Sequence, residues 1–159
     1  MEDEEQAKAY AEADFSIAHQ YFVERFSEQF PELSGEFHAL DLGCGTADVT
    51  LRFARRYPDC LIDGVDGARV MLQQGHQALH ASGLAARVRL MEARLPNPEL
   101  PARHYAAVLS NSLLHHLANP GDLWACIHQY AQPDAAIFVM DLLRPSTLDE
   151  AIRLVRRYA

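Results

Sequence analysis

A glycine-rich segment, HALDLGCGTADVTLRFARRYP at residues 38–58, carries the residue types most suited to holding a ligand. Gly43 and Gly45 follow a short apolar run, with Asp41 before them and Asp48 after them. Glycines allow a sharp backbone turn and let a ligand lie directly against the main chain. Two glycines also occur in strand-to-helix turns that bind nothing, so the pair by itself indicates a candidate ligand loop without naming the ligand.

The charge of this segment separates two classes of ligand. A nicotinamide dinucleotide is bound by G-x-G-x-x-G, whose third glycine would fall at Asp48. An aspartate at the start of a helix repels a diphosphate, so the dinucleotide is disfavoured. A cationic ligand such as S-adenosylmethionine, which has a sulfonium and an amino group but no phosphate, suits the aspartates better.

The stretch LDLGCGTAD resembles motif I of the class I S-adenosylmethionine-dependent methyltransferases. The resemblance implies that Asp41 orients the loop and the methionine end of the cofactor. It also implies that Gly43, Gly45 and Thr46 lie against the cofactor. The third small position of the motif is often glycine and is Ala47 here. Resemblance extends over about residues 37–145, and S-adenosylhomocysteine would be the product.

The second predicted strand, in LIDGVDGARVML, ends at Asp66, 25 residues after Asp41. In the family an acid at this place accepts hydrogen bonds from the two ribose hydroxyls, and a carboxylate held at a strand end has the acceptors for that. A capping aspartate is the alternative interpretation. Gly67 follows it, and Met71 resembles the family's apolar residue near adenine, although a core methionine fits equally well.

Further along the chain the resemblance is partial. The family usually places an acidic residue after the third strand, against the adenine amino group, and the corresponding residue here is Arg94. An arginine has no acceptor, so the expected adenine contacts are with the backbone around Ala93, Arg94 and Leu95. Asn111, at the end of the fourth strand, matches a residue near the methionine moiety.

Two adjacent histidines, His115 and His116, follow the fourth strand in LLHHL, near the expected methyl group. Either is a candidate catalytic base, because histidine titrates near neutral pH. One of them packing on or capping the next helix is the alternative. Adjacent residues on a helix point about 100° apart, so we expect only one to face the site. No third ligand lies nearby in sequence, and no metal site is predicted.

Strands and helices alternate along the chain, which predicts an α/β fold: a three-layer α-β-α sandwich with a mostly parallel, twisted, Rossmann-like sheet. Residues 1–35 are expected to form an N-terminal helical lid segment, with a helix at 5–30, and residues 36–159 the cofactor-binding core. The predicted strands are Phe37–Leu42, Leu61–Val65, Val88–Met91, Tyr105–Ser110 and Ala135–Leu142. The predicted helices are Asp48–Tyr57, Ala68–Ser82, Leu113–Leu117, Gly121–Tyr130 and Thr147–Tyr158.

The composition argues against several other classes of protein. The formal net charge of −8 argues against nucleic acid as a partner. The acidic start, Met1 to Glu5, is unlike a signal peptide, and no apolar run is long enough for a membrane span. Three cysteines without a CxxC pair suit reduced thiols, so a cytoplasmic location is expected.

The predicted function is S-adenosylmethionine-dependent methyl transfer to a small-molecule acceptor, as a transferase of this family (EC 2.1.1.-). The alternatives are a non-catalytic S-adenosylmethionine-binding or regulatory domain and a nicotinamide-dependent oxidoreductase. The family usually has seven strands, and no sixth or seventh strand follows Leu142 here. We therefore expect either a truncated piece of a longer methyltransferase or a partner chain, such as a second copy, on the apolar edge of strand five.

Overall fold

The computed structural model describes residues 15–96, 99–100, 104–142, 145–150 and 152–153. Its helices are α1 (Ser16–Gln29), α2 (Asp48–Arg56), α3 (Arg69–Ser82) and α4 (Gly121–Tyr130), with a 3-10 turn at Leu114–His116. Its strands are β1 (Phe37–Leu42), β2 (Cys60–Asp66), β3 (Val88–Glu92), β4 (Tyr105–Asn111) and β5 (Ala131–Met140). Residues 148–150 and 152–153 are also helical.

The five strands form one parallel sheet in the order β3-β2-β1-β4-β5. This confirms the predicted α/β class. β2 and β3 lie on one side of β1, and β4 and β5 lie on the other side, so the direction in which strands are added reverses at β1. A ligand site in such a sheet lies at the carboxyl ends of the strands beside this reversal, between β1 and β4.

Apolar clusters cover both faces of the sheet and give the three layers. On one face α1, α2 and α3 bury Phe22, Phe26, Phe53 and Leu72 against the strands. On the other face α4 packs Leu123, Cys126, Ile127 and Tyr130 against Leu40 and Leu42. The strand interiors are therefore apolar on both sides, as expected for parallel strands.

α1 is part of the core as well as a cover for it. Phe26 is fully buried and makes edge-on ring contacts with Phe53 and Phe138, at centroid distances of 5.0 and 5.8 Å. The predicted helix at 5–30 is confirmed from Ser16 to Gln29, and its first residues lie outside the described part of the chain.

Strand five begins earlier than predicted. The predicted start was Ala135, and the residues before it include Pro133 and Asp134, which favour turns. The strand instead begins at Ala131, directly after α4, and ends at Met140 rather than Leu142. Its register against β4 shifts between Tyr105 and Ala107, and Asp134 has φ of 63°. A bulge therefore accommodates the turn residues inside the strand.

Other predicted boundaries agree to within one or two residues. The segment predicted as a helix at Leu113–Leu117 is the single 3-10 turn. Half of the predicted helix Thr147–Tyr158 lies outside the described residues, and within the described half residues 148–150 and 152–153 are helical. In the described chain no strand follows β5, which forms one edge of the sheet. None of the described helices is long and apolar enough to cross a membrane.

Candidate functional site

A cavity of about 720 Å³ opens at the carboxyl ends of the central strands. The thirteen site residues predicted from the sequence all line it: Asp41, Gly43, Gly45, Thr46, Asp66, Gly67, Met71, Ala93, Arg94, Leu95, Asn111, His115 and His116. Four different loops bring them together, since each follows a different strand of one parallel sheet. The predicted residues lie up to 75 positions apart in sequence, and the fold brings them to one cavity.

The glycine loop between β1 and α2 takes a backbone conformation that favours glycine at two positions. Gly43 has φ of 78° and Gly45 has φ of 53°, both in the left-handed region. A Cβ on Gly43 would lie 2.9 Å from Leu113, and one on Gly45 would lie 3.3 Å from Met71 Cε. The N–H groups of Gly43 and Cys44 donate to the carbonyl of Val65, which ties the loop to β2.

Asp66 is fixed at the end of β2 by two backbone donors. Gly45 N donates to its Oδ2 at 2.8 Å, and Ala68 N donates to its Oδ1 at 2.7 Å. Each carboxylate oxygen can accept more than one hydrogen bond, so both keep acceptor capacity toward the cavity. Asp66 is thus a rigid, doubly accepting group held directly against the glycine loop.

Asp41 lies beneath the loop and is 1% exposed. Its Oδ2 accepts a 2.6 Å hydrogen bond from the Thr50 hydroxyl on α2. Burial raises the pKa of Asp41 to about 6; the bond from Thr50 opposes this shift, and the negative charge of Asp66 adds to it. The floor of the cavity therefore holds a carboxylate whose ionised form is disfavoured unless a positive charge lies nearby.

The segments that follow β2 and β3 form one wall of the cavity. Ala93 N donates to the carbonyl of Asp66 at 3.0 Å, which holds the segment after β3 beside the end of β2. A Cβ on Gly67 would lie 3.1 Å from Arg94 Cγ, so this glycine makes room for the arginine side chain. Met71 packs with Ala68 and Val70 in a small apolar cluster at the rim.

The segments that follow β4 and β5 form another wall of the cavity. His115 Nδ1 lies 2.6 Å from Asp141 Oδ1, and the rings of His115 and His116 lie 4.0 Å apart at 43°. The expectation that only one histidine would face the site is wrong, because the 3-10 turn and the tilted ring pair bring both to the cavity wall. Burial and the neighbouring His115 lower the pKa of His116.

α1 closes the remaining side of the cavity. His19 Nδ1 lies 2.7 Å from Asp48 Oδ2, and the same oxygen accepts a 2.9 Å hydrogen bond from Arg52 Nε. The hydrogen bond from His19 lowers the pKa of Asp48, although partial burial opposes it. Phe15 and Tyr21 also line the cavity.

Within the part of the chain that the structure describes, the lining carries four carboxyl groups, at Asp41, Asp48, Asp66 and Asp141, and one arginine, Arg94. This balance suits a ligand with positive charge and disfavours a diphosphate. Among the described residues no group of three or more His, Cys, Asp or Glu side chains could hold a metal ion.

Sequence reasoning missed two residues that shape the site. Thr50, on the first turns of α2, gave no sign that it bonds to Asp41. Asp141 had a readable signal, because it directly follows the apolar run IFVM, just as Asp66 ends β2.

Comparison with known proteins identifies the family of this chain. A family model described as a methyltransferase domain matches residues 39–134, which is more than half of the chain. An uncharacterized methyltransferase of Mycobacterium tuberculosis is 30% identical over 107 residues, covering 67% of this chain and 51% of the relative. The chain thus spans about half the length of the curated relatives it matches.

Solved structures share the fold. A SAM-dependent methyltransferase from Aquifex aeolicus matches with a TM-score of 0.73 at 17% identity, over 98% of this chain and 87% of that one. A SAM-dependent methyltransferase from Thiobacillus denitrificans, solved with S-adenosyl-L-homocysteine, matches with a TM-score of 0.67 at 15% identity, over 85% of this chain and 54% of that one. With the family model covering the glycine loop, the strand-two acid and the paired histidines, the chain belongs to the methyltransferase domain family.

Proposed function

We propose that this domain binds S-adenosylmethionine in the cavity and transfers its methyl group to a small-molecule acceptor. The observation that carries the proposal is Asp66, whose two oxygens are fixed by Gly45 N and Ala68 N while remaining able to accept from a ribose diol. The family membership and the relatives' S-adenosylmethionine dependence support the same cofactor.

The remaining assignments follow from the cavity walls. Gly43, Gly45 and Thr46 would carry the cofactor against the main chain, and Asp41 and Asn111 would face its methionine end. Gly67, Met71, Ala93, Arg94 and Leu95 would enclose the adenine, with backbone rather than an acidic side chain serving the amino group. The positive charges of the cofactor would offset the cost of ionising Asp41, which links binding to that carboxylate.

The bound cofactor supplies a methyl group already activated by the sulfonium. The protein's contribution is then to orient the acceptor and to exclude water, effects worth up to about 7–11 kcal/mol in favourable cases. The N-terminal segment, residues 1–35, would cover the site through α1, with Phe15 and His19 at the wall. His115 and His116 are the candidate bases for an acceptor that must lose a proton.

A non-catalytic S-adenosylmethionine-binding domain is the second candidate, because a domain of this fold can retain the cofactor loop without an acceptor site. A nicotinamide-dependent oxidoreductase is the third, and the carboxylates of the lining count against it.

Isothermal titration calorimetry with S-adenosylmethionine, S-adenosylhomocysteine and NADH tests the proposal. We expect the first two to bind and NADH not to bind. Binding of NADH alone would contradict the proposed cofactor. A screen of methyl acceptors, read out as release of S-adenosylhomocysteine, then separates an enzyme from a cofactor-binding domain.

A further inference from the structure

The pair formed by His115 and Asp141 has the geometry of an oriented base. Asp141 directly follows β5 and His115 lies in the 3-10 turn after β4, so neighbouring parallel strands bring both to the cavity. Asp141 Oδ1 lies 2.6 Å from His115 Nδ1. Because this contact uses Nδ1, Nε2 is the ring nitrogen available to a substrate.

Asp141 is held in place by further donors. Leu114 N donates to its Oδ2 at 2.6 Å and Leu142 N to its Oδ1 at 2.7 Å, and its side chain is 12% exposed. Burial would raise the pKa of Asp141, but the hydrogen bonds from His115 and from these two N–H groups outweigh it and lower the pKa. An ionised carboxylate only accepts, so Nδ1 of a neutral His115 carries the proton.

The loop that presents His115 is constrained. Ser112 has φ of 58°, a left-handed conformation that is strained for a non-glycine residue, and its N–H donates to the carbonyl of Met140 at 2.8 Å. Such strain persists where surrounding contacts fix it, and it often marks a functional site. The imidazole is thus oriented before any ligand binds.

We propose that Asp141 is a positioning residue that holds His115 in the Nδ1–H tautomer, so that Nε2 takes the proton from a hydroxyl group of the methyl acceptor. This inference rests on the proposed methyl transfer and names its acceptor class. Leu113, Leu117, Met140 and Leu142 line the same end of the cavity, so the hydroxyl would belong to a compound with an apolar body.

A hydroxyl acceptor is the one for which such a base matters most. A neutral amine has a free lone pair without help, and a thiol loses its proton readily, whereas a hydroxyl is a weak nucleophile until its proton is removed. In the step, the acceptor's O–H bond breaks and its proton passes to Nε2 while oxygen bonds to the methyl carbon. The carbon–sulfur bond breaks and its electron pair stays on sulfur. The imidazolium lies against the Asp141 carboxylate until its proton passes to solvent.

The tautomer is measurable without turnover. In the full chain labelled with ¹⁵N-histidine and measured without added ligand, we expect His115 to show a protonated Nδ1 and an unprotonated Nε2 at about pH 8. His115→Gln identifies the resonance. In Asp141→Asn one oxygen must serve three N–H donors, so we expect the Nδ1–H population to fall. Asp59→Asn, on an exposed turn, is the matched control and should leave it unchanged.

An Nε2–H tautomer in the wild type, or an equal population in Asp141→Asn, would overturn the positioning role. A purely structural tie between β5 and the loop would destabilise the variant without changing the tautomer in its folded fraction. This measurement stands apart from the proposed function, which fails instead if calorimetry detects no binding of S-adenosylmethionine or S-adenosylhomocysteine.

The acceptor class is tested with 2-naphthol, 2-naphthylamine and 2-naphthalenethiol, which differ only in the nucleophile. We expect 2-naphthol to be methylated, with kcat at least tenfold lower in Asp141→Asn and lower still in His115→Gln, while cofactor affinity is unchanged. Methylation of the amine or the thiol without 2-naphthol, or no product from 2-naphthol, would overturn the hydroxyl assignment.

Discussion

The hydroxyl of Thr50 donates a 2.6 Å hydrogen bond to Oδ2 of Asp41, and both side chains are fully buried beneath the glycine loop. Burial still raises the pKa of Asp41 from 3.8 to about 6. The folded state therefore favours the protonated carboxyl, and this contribution is present below about pH 4 and lost as pH rises through about 6. A shift of this size corresponds to about 3 kcal/mol.

Asp41→Asn tests this linkage. The amide oxygen still accepts from Thr50 but cannot ionise, so we expect the ligand-free variant to be more stable than the wild type at about pH 7.5. Raising the pH from about 5 to 7 should strengthen binding of S-adenosylmethionine relative to S-adenosylhomocysteine in the wild type, because only the former carries the sulfonium. The variant should lose this dependence. Thermal unfolding and calorimetry across pH measure both effects, and an unchanged slope in the variant would contradict the role of Asp41.

Asp66→Ala should weaken S-adenosylhomocysteine binding by an order of magnitude or more. The proposed ribose contacts would be charge-assisted hydrogen bonds, which are worth about 1.5–3 kcal/mol each. The substitution also removes the acceptor of Gly45 N and Ala68 N, so Asp66→Asn, which keeps one acceptor oxygen, should be intermediate. Calorimetry gives the affinities and thermal unfolding reports whether the fold survives. Wild-type affinity in a folded Asp66→Ala variant would place the ribose elsewhere.

These residues show how far the sequence predicted the site. Asp41, the two glycines and Asp66 were readable because each lies at the end of an apolar strand, and parallel strands bring such ends together. All thirteen predicted site residues line the cavity for that reason, although Asp141, which also lines it, was not predicted. The pairing of Thr50 with Asp41 depends on how α2 packs on β1, which periodicity does not reveal.

A second buried carboxylate shows the same limit. Asp63 is 4% exposed and accepts hydrogen bonds from Arg89 Nε and Nη2, at 3.0 and 2.8 Å, and from the Tyr105 hydroxyl at 2.7 Å. Arg89 lies on β3 and Tyr105 lies on β4, 26 and 42 residues further along the sequence. Nothing in LIDGVD distinguishes this aspartate from a surface one, and only the sheet order brings the three together.

Gly43→Ala should reduce both stability and cofactor binding. The added methyl group meets Leu113 at 2.9 Å and the backbone has φ of 78°, so steric overlap adds to backbone strain. Gly35→Ala is the matched control, because Gly35 has φ of 73° with nothing within 4 Å of the added Cβ. We expect Gly43→Ala to lower the melting temperature more than Gly35→Ala, and only the former to weaken S-adenosylhomocysteine binding. Equal effects on both would show that strain alone accounts for the loss.

Phe26→Ala and Phe15→Ala separate two roles of α1. Phe26 is fully buried among Phe30, Phe53, Tyr57 and Phe138, whereas Phe15 is 37% exposed and lines the cavity. Removing a buried phenylalanine costs about 3–5 kcal/mol. That is a large share of a typical stability of about 5–15 kcal/mol.

We therefore expect Phe26→Ala to lower the free energy of unfolding strongly in urea titrations. Phe15→Ala should leave it nearly unchanged and weaken S-adenosylhomocysteine binding severalfold, because on the proposed placement the ring would cover the cofactor rather than fill the core. Tyr21→Phe, at a half-exposed wall position, controls for aromatic substitutions in α1 that keep the ring. Loss of stability without loss of affinity in Phe15→Ala would mean that the first turn of α1 serves the fold alone, and the covering role of the N-terminal segment would then have to lie with other residues.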